Sequence, residues 1–455
     1  MMKVDRPSPM RYLALVAIVG ATSLALALPA GALGPQQSAV GAQAEEIEPG
    51  VYRTRLATGM LVVTKERPDA EVAALSVYVR GGSRDEDPGT VGAAHFMEHM
   101  YFQGTPRRPS SADIDQPITE RGGWFNATTS WEGINFFTAV PTDAFDLALD
   151  VISDILSNSL FRPEDVEKER RVVIEELNRN LNNPTAYAYE TYAKTVFADH
   201  PAHQMPGGDR STVRTVSRDV LLAFRDRFFR ASNMVVAAVG NLKHQQVVAQ
   251  VEAAFAEMPN GPAPTFTPAP RPTPRKQVEH LNYGARQAQL VLGWPVVGID
   301  SPDRYALEVL ANVLGSSGQR LAADLRDDLG IVTRVDTGYW ELTDAGTWLV
   351  GAAADPANVD VAGAAILTEI ERARSEPVSA EELDDAIAYI RGTLRRGFER
   401  SIDQAQYLSG GIALGYYQPI ESYIDKFEAV TAADVQRVAR TYLDPENYTL
   451  VVLGP

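Results

Sequence analysis

The feature that most constrains this chain is that it repeats itself. One stretch runs Asp219-Val220, then a helical pattern, then Asn233-Met-Val-Val-Ala-Ala-Val-Gly240. Another runs Asp434-Val435, a helical pattern, then Asn447-Tyr-Thr-Leu-Val-Val-Leu-Gly454. The two Asp lie 215 residues apart and the two Asn 214. Pro163-Glu-Asp-Val-Glu-Lys-Glu-Arg170 matches Ala380-Glu-Glu-Leu-Asp-Asp-Ala-Ile387 at an offset of 217. One shared helix would mean little. Several features at nearly one offset mean an internal duplication.

A Pro-rich stretch, Pro259 to Pro274, separates the copies. Proline rules out a helix or a central strand there, so it reads as a stiff linker. The expected division is a leader over 1–44, a first domain over 45–257, a linker over 258–278 and a second domain over 279–455. Val72–Val79 and Gln287–Trp294 read as strands; Glu164–Asn180 and Ala380–Phe398 read as helices. Strands clustered beside helices predict an α+β fold. Each copy is expected to be a mixed, mostly antiparallel sheet with helices over one face.

The N-terminus reads as an export signal. Lys3, Arg6 and Arg11 precede an uncharged apolar run of 17 residues, Tyr12–Leu28. Pro29 and the small-residue patterns Ala30-Gly31-Ala32 and Ala42-Gln43-Ala44 follow, as in a cleavable secretory signal. The run also approaches the length of a membrane span, so an uncleaved anchor is the competing reading. No other stretch is long and apolar enough to span. The expected location is the periplasm.

Composition narrows the chemistry. With no cysteine there is no disulfide, thiolate nucleophile, iron–sulfur cluster or Cys-type zinc finger. The formal charge of −17 argues against nucleic acid, whose binders need a basic stripe. A metal would have to use His, Asp or Glu, and there are six His.

Two of them stand in His95-Phe96-Met97-Glu98-His99. On a helix His95 and His99 project one turn apart on one face, a spacing that suits two imidazoles on one zinc, with Glu98 on the same side. Catalytic zinc wants three protein ligands and an open position. No third His is near, so a carboxylate is needed, and the run Glu167 to Glu176 supplies several. Glu169 and Glu176 share a helix face two turns apart: one can bind metal while the other supports it.

Taken together, Gly92-Ala-Ala-His95-Phe-Met-Glu98-His99-Met-Tyr-Phe-Gln-Gly104-Thr105, Gly122-Gly-Trp-Phe-Asn126-Ala127-Thr128 and Glu167 to Glu176 resemble the pitrilysin family. That family of zinc metallopeptidases includes insulin-degrading enzyme and mitochondrial processing peptidase. The resemblance covers almost all of the chain after the leader. It implies one Zn2+ per chain held by His95, His99 and Glu176, with Glu175 the off-by-one competitor. It further implies Glu169 as the supporting acid and Glu98 as the general base that activates water for hydrolysis of a peptide bond. The segment around Asn126 and Ala127 would be an exposed edge strand to which a peptide substrate pairs.

Two departures from the family stand out. In the second copy Val309 and Val313 take the places of the His pair, Asn312 that of the base and Thr393 that of Glu176, so this copy is expected to be structural. The family often brings an Arg and a Tyr from the second half into the active site. Here Arg326 is kept, but Thr333 stands where the Tyr is expected, with Tyr339 the nearest phenol. Relatives of this length imply a homodimer or a heterodimer with a homologous subunit. A non-catalytic binding or assembly subunit is the alternative function. His200, His203, His244 and His280 read as structural.

Overall fold

The computed structural model describes residues 44–315 and 320–454; the expected leader, apart from Ala44, lies outside them. Two sheets form. The first runs, in spatial order, Glu45–Glu48, Val51–Arg55, Leu61–Glu66, Met234–Gly240, Val72–Arg80, Gly133–Pro141, Trp124–Thr129. The second runs Gln277–Asn282, Thr449–Gly454, Ala288–Val296, Gly346–Ala354, Val332–Glu341. The last five strands of the first sheet and the five of the second have the same order. In each, a single parallel pair (Leu61–Glu66 with Met234–Gly240, Gln277–Asn282 with Thr449–Gly454) sits among antiparallel ones. The fold is the expected α+β duplication. The additional strands Glu45–Glu48 and Val51–Arg55 extend only the first sheet.

Central strands are mostly apolar and almost wholly buried, because both faces of each sheet are covered. Val72–Arg80 is buried at seven consecutive positions, Ala73 to Val79. One face packs on helices of its own half: Phe145–Asn158 supplies Leu149, Ile152 and Ile155 to the first core, and Asp303–Gly315 supplies Leu307, Leu310 and Leu314 to the second. The other face is covered by a helix from the opposite half. Ser401–Leu414 seats Ile402, Ala405 and Leu408 on Ala74, Phe137, Val235 and Ala237 of the first sheet. Pro184–Val196 seats Ala188, Tyr192 and Val196 on Val291, Leu349 and Val451 of the second. Two strand glycines admit this second helix. A Cβ at Gly293 would lie 2.2 Å from the Tyr192 hydroxyl, and one at Gly351 1.8 Å from that of Tyr189.

The Pro-rich connection carries no helix or strand from 259 to 276; the first strand of the second sheet starts at Gln277, two residues inside the expected linker. Among the described residues no helix is long and apolar enough to cross a membrane.

Candidate metal centre

Two helices build the site. The first, Ala93–Met100, starts after Gly92, whose φ of 103° belongs to the left-handed region that glycine tolerates. A side chain there would also meet Val213 Cγ2 at 2.7 Å. No N-cap side chain is adjacent; Glu86 does that work from six residues upstream. Its carboxylate accepts from the backbone N–H of Gly92 at 2.8 Å and of Ala94 at 2.6 Å. The second helix, Pro163–Leu181, opens with proline at its first position and carries Glu169 and Glu176 to the first.

His95 and His99 sit one turn apart, with ring centroids 4.9 Å apart and planes at 84°. Glu176 Oε2 lies 3.6 Å from His95 Nε2 and 3.4 Å from His99 Nε2. Tetrahedral zinc with bonds of about 2.0–2.1 Å puts its donors roughly 3.3–3.5 Å apart. Both separations from Glu176 are close to that value, and the three residues offer ligand atoms that all lie within 4.8 Å of one another. Glu175 faces away, paired with Asn178 Nδ2 at 3.3 Å.

Charge favours a cation here. Burial opposes a proton on His99, yet the Glu169 and Glu176 carboxylates outweigh it and lift its pKa to about 9. Its Nδ1 meets Glu169 Oε2 at 3.1 Å, which orients the ring with Nε2 toward the centre. Hydrogen bonding to His99 holds Glu176 below the usual carboxylate range. Burial lowers His95, with the charge of Glu98 opposing it. Two carboxylates that stabilise a protonated imidazole stabilise a metal ion in the proton's place, so binding would release protons.

Glu98 sits beside the cluster, and the hydroxyl of Thr129 donates to its Oε2 at 2.5 Å. Thr129 ends the strand Trp124–Thr129, which among the described residues pairs only with Gly133–Pro141 and forms an edge of the first sheet. Asn126 is exposed on that strand, its Oδ1 accepting from Ala127 N at 2.9 Å; Ala127 is buried.

Other residues named from the sequence make contacts of their own. The guanidinium of Arg326 pairs with Asp327, its neighbour, at 2.8 and 2.9 Å; none of its hydrogen bonds goes to the cluster. Thr333 accepts from Gln287 Nε2 at 3.0 Å on the edge of the second sheet. Tyr339 is buried in the second core and donates to Val297 O at 2.9 Å, so it does not replace the missing phenol. Val309 and Val313 are fully buried. His244 is held between Thr54 and Thr64, at 2.8 Å from each. The parts played by Thr129 and Glu86 went unread in the sequence: a threonine in a strand and a glutamate in a loop carry no signal until partners are known.

Known proteins resemble this chain over most of its length. Residues 61–205 match the family model described as "Insulinase (Peptidase family M16)", and residues 215–390 match "Peptidase M16 inactive domain". A Mycobacterium tuberculosis protein named as an uncharacterized zinc protease is 32% identical over 89% of this chain and 93% of its own. An Arabidopsis thaliana protein named as a probable mitochondrial-processing peptidase subunit beta is 28% identical over 88% of this chain and 78% of its own. A crystal structure of a protease from Helicobacter pylori superposes with a TM-score of 0.84 and 23% identity, over 91% of this chain and all of that one. The chain belongs to the insulinase, or M16, family of zinc peptidases, which includes pitrilysin and mitochondrial processing peptidase.

Proposed function

We propose that this chain is a zinc endopeptidase that cleaves peptides or unfolded protein segments, with its chemistry confined to the first half. The observation that carries the reading is the convergence of His95 Nε2, His99 Nε2 and a Glu176 oxygen, all within 4.8 Å of one another, beside Glu98. Zinc held there would supply a Lewis acid and lower the pKa of a water toward 7. His95, His99 and Glu176 would hold it, with Glu169 fixing the His99 ring. Glu98 takes a proton from the attacking water and returns it to the departing amine nitrogen. Thr129 holds the Glu98 carboxylate in place by its hydroxyl.

The free edge of Trp124–Thr129 offers unpaired N–H and C=O groups to an extended peptide. Such pairing is nearly independent of side-chain sequence, which suits substrates of mixed composition. Asn126 and Ala127 lie on this edge. The leader-like residues 1–44 support export to the periplasm, and family relatives named as subunits support pairing with a second, homologous or identical chain. The test is cleavage of a fluorogenic peptide by the purified chain with and without a chelator. Activity lost with the chelator and restored by zinc supports the reading; zinc bound at one per chain with no cleavage of any peptide in a mixed library contradicts it.

A further inference from the structure

Away from the metal, the two halves share a buried cluster of charges. Arg84, Glu132 and Asp344 have side chains that are 7%, 9% and 6% exposed. Arg84 donates to Asp344 through Nη1 at 2.8 Å and Nη2 at 2.6 Å, and to Glu132 Oε1 at 3.0 Å. Glu132 also accepts from the backbone N–H of Thr343 at 3.0 Å and from the Thr343 hydroxyl. Asp344 further accepts from Ala269 N of the Pro-rich connection at 2.6 Å, and His200 Nε2 lies 3.3 Å from it.

Thr343 and Asp344 form the turn between Val332–Glu341 and Gly346–Ala354, so they belong to the half without the metal site. Glu132 lies in the turn between Trp124–Thr129 and Gly133–Pro141, three residues from Thr129. The segment around Arg84 grips that same turn: Ser83 N donates to Ser130 O at 3.2 Å and Arg84 N to Trp131 O at 3.1 Å. Two residues on, Glu86 caps the helix that carries His95 and His99. Directional bonds from the second half thus converge on the turn whose strand presents Thr129 to Glu98.

Adhesion does not call for this arrangement. The exchanged helices already join the halves through apolar contacts, and buried ion pairs hold partners together no better than apolar groups of similar size. What charged hydrogen bonds add is fixed geometry.

We propose that Thr343 and Asp344 are positioning residues: the metal-free half uses them to hold the Ser130–Gly133 turn, and through it the Thr129 hydroxyl on Glu98. The proposal rests on reading Glu98 as the base. The test uses the full chain loaded with zinc, in four forms: wild type, Thr343→Val, Thr129→Val and the double variant. Thr343→Val removes the hydroxyl donor and keeps the backbone N–H. Zinc content is expected to stay at one per chain in all four. Thr343→Val should lower kcat about five- to tenfold with KM within twofold. The double variant should be no slower than Thr129→Val, because both act through one contact. Amide hydrogen exchange at Ser83, Arg84 and Ser130 should quicken in Thr343→Val and return to wild-type rates in Thr343→Ser. Losses in kcat that multiply, or exchange at the turn that matches wild type, would overturn the proposal. A wild-type chain that binds zinc but cleaves nothing would sink the peptidase reading, and the exchange comparison would still judge the cluster.

Discussion

The helix Ala93–Met100 and its counterpart Asp303–Gly315 occupy equivalent places on sheets of the same strand order. One presents His95, Glu98 and His99; the other buries Val309 and Val313 completely and turns the Asn312 amide back on Glu308 O at 2.9 Å. The second helix has spent its inward face on packing. The first leaves the His95 and His99 side chains 18% and 15% exposed, beside carboxylates. The lesson is that this frame does not need a metal in order to fold. The site is grafted onto one of two copies, and the other copy is free to support it.

The largest effect that would break this contrast is on catalysis. Glu98→Gln should lower kcat on peptides by about 10²–10⁴-fold while zinc stays bound, as elemental analysis would show. Cleavage near the wild-type rate would move the base elsewhere. On the opposite helix the same kind of change should act on stability alone. Val309→Ala should cost roughly 2 kcal/mol through lost burial and a cavity, read by denaturant unfolding, with kcat per folded chain unchanged.

Two carboxylates, one in each half, shift in opposite directions. Burial pushes Glu86 up to about 8, two backbone N–H groups notwithstanding. The unfolded chain releases this proton near 4.5 and the native chain keeps it, so stability falls as pH rises from about 4.5 to about 8. Glu86→Gln should flatten the decline of Tm across that window. Glu382 runs the other way: hydrogen bonding to Arg320 is the main force lowering it to about 2. Its contribution is complete above about 4.5 and is lost as pH falls toward 2, so Glu382→Gln should flatten only the acid limb. Exchanged outcomes for the two variants would refute this assignment. The smallest effect is expected at Arg326, an exposed side chain paired with its own neighbour. Arg326→Ala should change kcat/KM less than about threefold, in keeping with the weak energetics of surface pairs. A hundredfold loss would show that the second half does reach the chemistry.

What could be read from the sequence follows physical lines. His95 and His99 were legible because helical spacing alone puts them on one face. The choice of Glu176 over Glu175 needed the resemblance, since a one-residue shift on a helix turns a side chain by about 100°. The duplication was legible because Asn233–Gly240 and Asn447–Gly454 keep the same apolar spacing. The exchange of Pro184–Val196 and Ser401–Leu414 was not: an apolar stripe says that a helix is covered, not by which sheet. The cluster of Arg84, Glu132 and Asp344 was not legible, because long-range pairing leaves no local pattern. Arg326 was carried over from relatives, and its pairing with Asp327 is a property of this chain's own sequence.

Zinc stoichiometry tests the account most directly. Elemental analysis of the purified full chain should give one zinc per chain, and His99→Ala should give almost none while remaining folded. Two zinc ions per chain, or one retained after His99→Ala, would contradict a single metal site built from His95, His99 and Glu176.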